Sequence, residues 1–508
     1  MRILAIIQKY NNKFEPDYNY MLPSGLAYVI AVLRQANYEV DCLNMNHEEG
    51  ILEHIIEQKL DEIDYDVVLL TGVALDYKNI DLIIKTIRDW KPEIKIILGG
   101  LIITTETELM FNALKPDFGI IGDGEIAILE LLKDLTIPNQ VYKSNADLDI
   151  NELPFPDYDC MGIKELLNNT NTNTSLTSMI TRTEKPGIYT LIASRNCPYN
   201  CTFCYHSGKY QQRSIENIMA EIREVINKYD INIIQIQDDC FAITKERVLE
   251  FCKQMKQLRA EIPIDHELYW TCLFTVKMAD KQLFKVMKES GCEMVNFGLE
   301  SYNQDVLNSM KKRQTPQEID KAIKTLFEAK LAMQSAFIFG DMAETTETYK
   351  QTLQYYKKNC FGQITLTLIQ PYPESEIWKY CLRNGLITNK LEFIKNNMSK
   401  AELNMTLKMT PKQFNKMKQD INNTIKTQLR KVIPTRVSGA EVKVTCPFCQ
   451  TENNYLHCKI NHKLNFAFYG MCRDCHKQFL IVSKLQKFVL ENAPELVPIY
   501  QRMRKWIQ

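Results

Sequence analysis

Apolar positions along this chain follow two rhythms: short runs that are alternating or wholly apolar, and longer stretches with apolar residues three and four apart. The first rhythm marks strands and the second marks helices. Met1 to Gln8 reads as a strand, Leu26 to Gln35 as a helix and Glu39 to Asn44 as a strand, a βαβ opening. The buried-strand run Val67 to Thr71 follows, then a helix from Tyr77 to Trp90 and a strand Ile94 to Leu98 that ends in Gly99-Gly100. A short strand Gly119 to Ile121 runs into Gly122-Asp123-Gly124-Glu125. This pattern predicts a doubly wound, Rossmann-like parallel sheet over residues 1–145, with ligands beyond the carboxyl ends of its strands. Glycines at strand ends let backbone approach a ligand, and they equally serve any sharp strand-to-helix turn.

Leu153-Pro154-Phe155-Pro156 cannot continue a helix, and Asn168 to Ser178 is rich in Asn and Thr, so residues 146–183 are expected to be a connector. Strands are then predicted at Ile188–Ser194, Ile231–Gln237, Leu268–Cys272, Glu293–Gly298, Met333–Phe339 and Gln363–Ile369, with amphipathic helices between them. Successive βα units of this kind over 184–395 predict a partial (β/α)6 TIM-like barrel with its chemistry at the carboxyl-end loops. A Lys- and Asn-rich helical linker is expected over 396–440, a small β-rich unit over 441–482 and a final helix over 483–508 carrying Trp506.

Composition adds limits. With 508 residues, 45% of them hydrophobic and 24% charged, the chain is an ordinary globular protein rather than a disordered, collagenous or coiled-coil one. No run reaches the roughly 18 to 20 apolar residues of a membrane helix, and the start shows no cleavage signal, so a cytoplasmic protein without a membrane span is expected. Lys plus Arg and Asp plus Glu balance at 62 each, but from Arg430 onward 13 basic residues face 5 acidic ones. That tail is expected either to offer a positive face to nucleic acid or another partner, or to dock against the acidic body. Seven of the 16 cysteines fall in two tight clusters, which in a reducing compartment points to metal.

The first cluster is Cys197-Pro-Tyr-Asn-Cys201-Thr-Phe-Cys204, directly after the first barrel strand. Three thiolates on one loop suit three irons of a 4Fe–4S cluster and leave the fourth iron open; a zinc site completed by His206 is the alternative. This loop, with its aromatic Phe203, resembles that of the radical S-adenosylmethionine (SAM) superfamily. Ile236 to Phe241, Asn296 to Ser301 with Met310-Lys-Lys, Gly340-Asp-Met-Ala-Glu344-Thr345 and Gln370 to Ser375 are similar to strand-end motifs of its cobalamin-binding-domain subgroup. Pro23 to Tyr28, Gly99-Gly100, Gly122 to Glu125 and Leu153 to Pro156 are similar to that subgroup's first domain and connector, so the resemblance spans residues 1–395.

The resemblance implies a reaction in which the open iron binds SAM, a reduced cluster cleaves it and a 5′-deoxyadenosyl radical abstracts a substrate hydrogen. It further implies SAM contacts at Asp238, Asp239, Glu300 and Gly340, and cobalamin contacts at Gly99, Gly100, Gly122, Gly124 and Glu125. Asp238, Asp239 and Glu300 also suit helix N-caps. An external electron donor such as flavodoxin or ferredoxin is implied as partner. Departures are present: Thr271 to Val276 lacks the arginine often found after the third strand, and Met342 and Ala343 replace Pro and Gly of the fifth-strand motif. No Asp-x-His-x-x-Gly follows the first strand; His47-Glu-Glu-Gly50 has Met45 in place of Asp and follows the second, so cobalamin is expected without a protein His ligand.

The second cluster, Cys446-Pro-Phe-Cys449 with Cys472-Arg-Asp-Cys475, has zinc-ribbon spacing and suits one closed, structural zinc. A rubredoxin-like iron or an auxiliary Fe–S cluster with Cys458 as spare ligand are the rivals, and His457, His462 and His476 are expected on the ribbon surface. Because metal supplies the folding free energy of so small a unit, its loss is expected to spare the barrel. Cys42, Cys160, Cys240, Cys252, Cys272, Cys292, Cys360 and Cys381 follow no ligand spacing and read as core residues, although Cys240 and Cys272 lie at strand ends.

Three functions are consistent with these features. The first is a radical SAM enzyme performing cobalamin-linked methyl transfer to an unactivated carbon of a substrate, macromolecular or carrier-bound if the basic tail recruits it. The second is a radical SAM oxidoreductase, cyclase or rearrangement enzyme with a non-catalytic first domain. The third is a zinc-ribbon nucleic-acid-binding protein with an inactive barrel, against which the intact Cys197, Cys201 and Cys204 argue.

Overall fold

A computed structural model of the chain describes residues 1–10, 14–136, 140–169, 187–205, 208–241, 243–263, 267–400, 402–456, 458, 460 and 466–492. His206, His457, His462, Trp506 and residues 170–178 of the predicted connector lie outside them. The chain divides into two compact units, residues 1–169, 192–221 and 369–405 in the first, and 170–191, 222–368 and 406–508 in the second.

The first unit is built on a six-stranded parallel sheet. Its strands are β1 (Arg2–Ile7), β2 (Glu39–Asn44), β3 (Val67–Thr71), β4 (Lys95–Gly99), β5 (Phe118–Ile120) and β6 (Gln140–Tyr142), in the order β2-β1-β3-β4-β5-β6. Ile3 to Ile7 are completely buried, as a central parallel strand covered on both faces requires. The predicted helix Tyr77–Trp90 forms over those residues, with Ile80, Ile83, Ile84 and Ile87 buried at helical spacing. The pattern did not reveal β6, whose residues are largely exposed, or the helix Leu52–Glu62. The order reverses between β2 and β3 around β1, which sets the switch point at the carboxyl ends of β1 and β3.

The second unit carries a six-stranded parallel sheet whose order follows the chain: β7 (Ile188–Leu191), then β10 (Ile233–Ile236), β11 (Tyr269–Phe274), β12 (Cys292–Glu300), β13 (Ala332–Phe339) and β14 (Thr365–Leu368). Between β7 and β10 in sequence, the two-residue strands β8 (Ser194–Arg195) and β9 (Gln211–Gln212) of the first unit pair antiparallel. Sequential strand order with helices between is the singly wound half of a barrel, as the βα rhythm predicts. Trp270 on β11 is fully buried between Phe241 and Phe251, and its indole N–H donates to the Ser290 carbonyl at 3.2 Å.

The same unit includes the long helix Pro411–Gln428 and the ribbon. The helical linker expected over 396–440 is not one helix: one helix ends at Asn396 and the next runs Pro411–Gln428 behind a Thr410 capping box. The ribbon has two small sheets, β15 (Lys431–Val432) with β20 (Gln478–Val482) and β19 (Ala467–Met471), and β16 (Arg436–Ser438) with β17 (Glu441–Thr445) and β18 (Glu452–Tyr455). Among the described residues, no helix is long and apolar enough to cross a membrane.

Candidate functional site

The cysteine loop lies in the first unit and is closed at its neck. β8 and β9 pair Arg195 with Gln211, and the Asn196 side chain, at φ +61°, donates to the Lys209 carbonyl at 3.1 Å. Inside the loop the Cys204 N–H bonds the Cys201 carbonyl at 3.2 Å, and the Thr202 carbonyl accepts from Ile377 N–H at 3.0 Å. Cys201 is buried, Cys197 half-buried and Cys204 exposed. One anchored loop thus presents three soft sulfur donors at graded depth, a donor set suited to iron–sulfur ligation.

Asp238 and Asp239 follow β10, Glu300 ends β12 and Gly340 follows β13, so all four sit at the carboxyl edge of the second unit's sheet. Among the described residues, none of the three acids caps a helix. Thr244 caps Lys245–Glu261 and Asn303 caps Gln304–Ser309, so the N-cap alternative fails. Asp238 is 4% exposed and Asp239 is exposed. Glu300 adopts φ +59°, a strained value for a non-glycine, and its buried carboxylate pairs with Lys312 at 2.9 Å. A Cβ on Gly298 would lie 2.5 Å from the Lys312 ammonium and 2.8 Å from Glu300, so glycine there makes room for the pair. At the β11 end the side chains Cys272 and Phe274 are buried.

After β13, Gly340 at φ +96° donates its N–H to Glu344 at 3.3 Å, while Thr348 donates to the other Glu344 oxygen at 2.6 Å. Burial pushes the Glu344 carboxyl up to about 7, against the lowering effect of these two donors. A folded-state value above the unfolded 4.5 means the folded protein holds this proton more tightly. Its contribution is therefore full below about pH 4.5 and is lost as pH rises to about 7, on the order of 3 kcal/mol in all. Glu344→Gln is expected to flatten the fall in melting temperature between pH 5 and pH 8. An unchanged pH profile in the variant would refute this assignment.

In the first unit, Gly99 ends β4 and Gly122 follows β5. A Cβ at Gly100 (φ +83°) would lie 2.5 Å from the Thr71 hydroxyl and 2.8 Å from the Gly72 carbonyl, so the chain itself requires this glycine. At Gly122 (φ +79°) a Cβ would meet nothing within 4 Å, and at Gly99 only the Leu70 carbonyl at 3.9 Å. These two positions leave a cradle that side chains would fill. Gly124 begins the helix Gly124–Leu131, and Glu125 beside it is 3% exposed with its carboxylate held by Arg195 at 2.5 and 3.3 Å. His47 is committed within the protein: its Nε2 lies 2.7 Å from the Tyr20 hydroxyl and its Nδ1 3.2 Å from Glu165. Neither nitrogen is spare for a metal, which agrees with reading His47-Glu-Glu-Gly50 as coincidence.

Cys446, Cys449, Cys472 and Cys475 bring their sulfurs within 4.8 Å of one another, with Cys446–Cys475 at 3.7 Å and Cys449–Cys472 at 3.5 Å. A tetrahedron with metal–sulfur bonds of about 2.3 Å has edges of about 3.8 Å, so the four fit a zinc ion. Phe448 N–H and Asp474 N–H each point at a sulfur at 3.4 Å, and the Asn453 amide at Cys472 at 3.6 Å. Hydrogen bonds from Cys446, then Cys475 and nearby N–H groups, hold the Cys472 thiol far below its usual range. Cys458 is not in this group. It is buried in the ribbon core, bonded to the Tyr455 carbonyl at 3.6 Å, and burial raises its thiol to about 12.

The ribbon is docked on the barrel sheet. Met471 packs with Ile188, Ile233, Met294 and Ala332 near the amino ends of the strands. Gln363 and Gln478 exchange two hydrogen bonds, and the Lys477 ammonium lies 5.2 to 5.8 Å from the rings of Phe327, Phe361 and Phe448. The expectation that His476 lies on the ribbon surface is wrong. It is 3% exposed, with Nε2 2.9 Å from both Glu293 and Lys288, because the dock buries a charged pair that needs a third polar partner. Sequence reasoning also passed over Arg195, a single charged residue that carries no spacing pattern, and named Lys312 only within the Met310-Lys-Lys motif, without its partner Glu300.

The Radical SAM superfamily model matches residues 191–356 and the B12 binding domain model residues 17–132. A Pyrococcus horikoshii protein described as an uncharacterized methyltransferase is 25% identical over 391 residues, which are 72% of this chain and 79% of that one. An anaerobic magnesium-protoporphyrin IX monomethyl ester cyclase of Cereibacter sphaeroides is 23% identical over 383 residues, 69% of this chain and 59% of that one. The fold is similar to that of the radical SAM methyltransferase TsrM from Kitasatospora setae, solved with cobalamin and a 4Fe–4S cluster bound, with TM-score 0.59 and 14% identity over 75% of each chain.

Proposed function

Because the chain belongs to the radical SAM superfamily and carries a B12 binding domain, we propose that it is a cobalamin-linked methyltransferase acting on an unactivated carbon. Cys197, Cys201 and Cys204 hold the 4Fe–4S cluster; Asp238, Asp239, Glu300 and Gly340 bind SAM; and Gly99, Gly100, Gly122 and Gly124 make the cradle for cobalamin. Bound and reduced, the cluster supplies the electron that cleaves SAM, and cobalamin supplies a carrier for the methyl group. Carboxylates at the strand ends accept from the ammonium and hydroxyls of SAM, and the bare strand ends at Gly99 and Gly122 admit a flat macrocycle. The donor of the electron is an external one-electron carrier such as flavodoxin or ferredoxin. The single observation that carries this reading is the combination in one chain of an anchored three-cysteine loop with a B12-binding sheet whose strand ends a ligand can approach.

The test is anaerobic reconstitution with iron, sulfide and hydroxocobalamin, followed by reduction with dithionite and addition of SAM carrying a deuterated methyl group. Transfer of the label to cobalamin and then to an acceptor is expected. Formation of 5′-deoxyadenosine with no labelled cobalamin would instead favour the oxidoreductase or cyclase reading, which the cyclase relative keeps open.

Cobalamin binding has a clean probe. Gly99→Trp is expected to lower cobalamin content at least about tenfold while sparing iron content, since the fold has room for a Cβ there. Gly100→Trp is a poor probe, because any side chain there collides with β3's end. Equal cobalamin content in Gly99→Trp and wild type would return the first sheet to a purely structural role.

A further inference from the structure

The segment between β7 and the cysteine loop is held by two arginines of the first unit, and one of them reaches the Gly122–Glu125 turn. Arg213, 3% exposed, donates to the Ile192 carbonyl at 2.9 Å, to Glu221 at 2.5 Å and to the Tyr28 hydroxyl at 3.2 Å. Arg195 donates to Glu125 at 2.5 and 3.3 Å and to Asp123 at 3.0 Å, and its guanidinium lies 5.2 Å from the centre of the Tyr28 ring. One tyrosine therefore touches both guanidiniums, with its hydroxyl on Arg213 and its ring beside Arg195.

We propose that Arg195 is a positioning residue for the cysteine loop, held by Glu125 and Asp123 so that the Gly122–Glu125 turn sets where Cys197 sits. Arg195 lies on β8, two residues before Cys197, and its pairing with Gln211 closes the neck of the loop. Between them, Asn196 at φ +61° turns the chain, so displacement of Arg195 passes directly to Cys197. The planar fork of the guanidinium engages both Glu125 oxygens, keeps a bond to Asp123 and lies beside a ring, a combination a lysine cannot reproduce. Glu125, in the first turn of its helix, is 3% exposed, and its carboxylate serves Arg195 rather than a ligand. Without the Arg195 side chain the neck keeps its backbone pairing but loses its tie to the Gly122–Glu125 turn, while Arg213 still holds Ile192, so the loop loosens and the fold survives.

This inference rests on the proposed reading of Cys197, Cys201 and Cys204 as cluster ligands. The test compares wild type, Arg195→Met, Arg195→Lys, Glu125→Gln and the charge swap Arg195→Glu with Glu125→Arg, all full-length and anaerobically reconstituted. The readouts are the rate of iron loss to a chelator, the electron paramagnetic resonance spectrum of the reduced cluster and the melting temperature. Arg195→Met is expected to lose iron about tenfold faster than wild type with an altered spectrum, in the range of outer-shell effects on metal affinity. Arg195→Lys should fall between the two, and the charge swap should slow iron loss relative to Arg195→Met. Wild-type iron loss and spectrum in Arg195→Met, with only a lower melting temperature, would overturn the positioning role and leave a plain structural pair. Should Arg195→Met fail to fold, Glu125→Gln, which keeps the volume and removes the charge, decides by the same readouts. A wild type that takes up no iron defeats the cluster reading and this inference together; an iron-loaded wild type with indifferent variants defeats this inference alone.

Discussion

Cys201→Ala is expected to abolish the 4Fe–4S cluster and reduce SAM cleavage to background. Cys201 is the most buried of the three loop cysteines and its carbonyl anchors the turn to Cys204. A 4Fe–4S cluster held through three thiolates, with its fourth iron left for SAM, has no spare protein ligand to lose. The side chain removed is small and the loop keeps its neck and its bond from Ile377, so the fold is expected to stay intact. Iron content, the visible absorption of the cluster and 5′-deoxyadenosine formation should fall together. Cys458→Ser is the matched control, a buried cysteine outside both clusters, and should keep the loop iron. Wild-type SAM cleavage by Cys201→Ala would end the assignment of the loop.

Ending the chain at Ser438 is expected to bring down the barrel, contrary to the sequence-based expectation that the ribbon is dispensable to it. Met471 covers Ile233, Met294 and Ala332, which would face water without it. Glu293 and His476 are each 2% exposed in their side chains, and truncation would take from the Lys288–Glu293 pair the third polar partner that covers it. The glutamine pair Gln363–Gln478 and the ring-packed Lys477 are lost as well. The truncated chain should therefore be insoluble or melt far below the full chain, and stripping metal from Cys446, Cys449, Cys472 and Cys475 should lower the barrel's melting temperature along with the ribbon's. Elemental analysis is expected to find one zinc beyond the loop iron. A soluble chain ending at Ser438 with the full melting temperature would refute the coupling.

The dock also bears on the basic tail. Lys477 faces three rings and Lys330 pairs with Asp474 at 2.6 Å, so charge at the barrel–ribbon junction is spent within the protein. The tail's remaining positive residues leave room for a macromolecular or carrier-bound substrate, which the deuterium-labelled assay can identify.

Periodicity and local chemistry were enough for much of this protein. Strand and helix spacing located both parallel sheets, with Glu39–Asn44, Val67–Thr71 and Tyr77–Trp90 at their observed limits, because buried parallel strands are continuous apolar runs and covering helices repeat every three to four residues. Cysteine spacing singled out both candidate metal groups, since ligands on one short loop or on two knuckles are near in sequence. The tertiary structure decided what joins distant positions: Arg195 with Glu125, Lys312 with Glu300, and His476 with Glu293. Each joins a buried carboxylate to a polar partner that becomes necessary only when packing removes the carboxylate from water, and no local pattern records which residue a fold will bring to meet another.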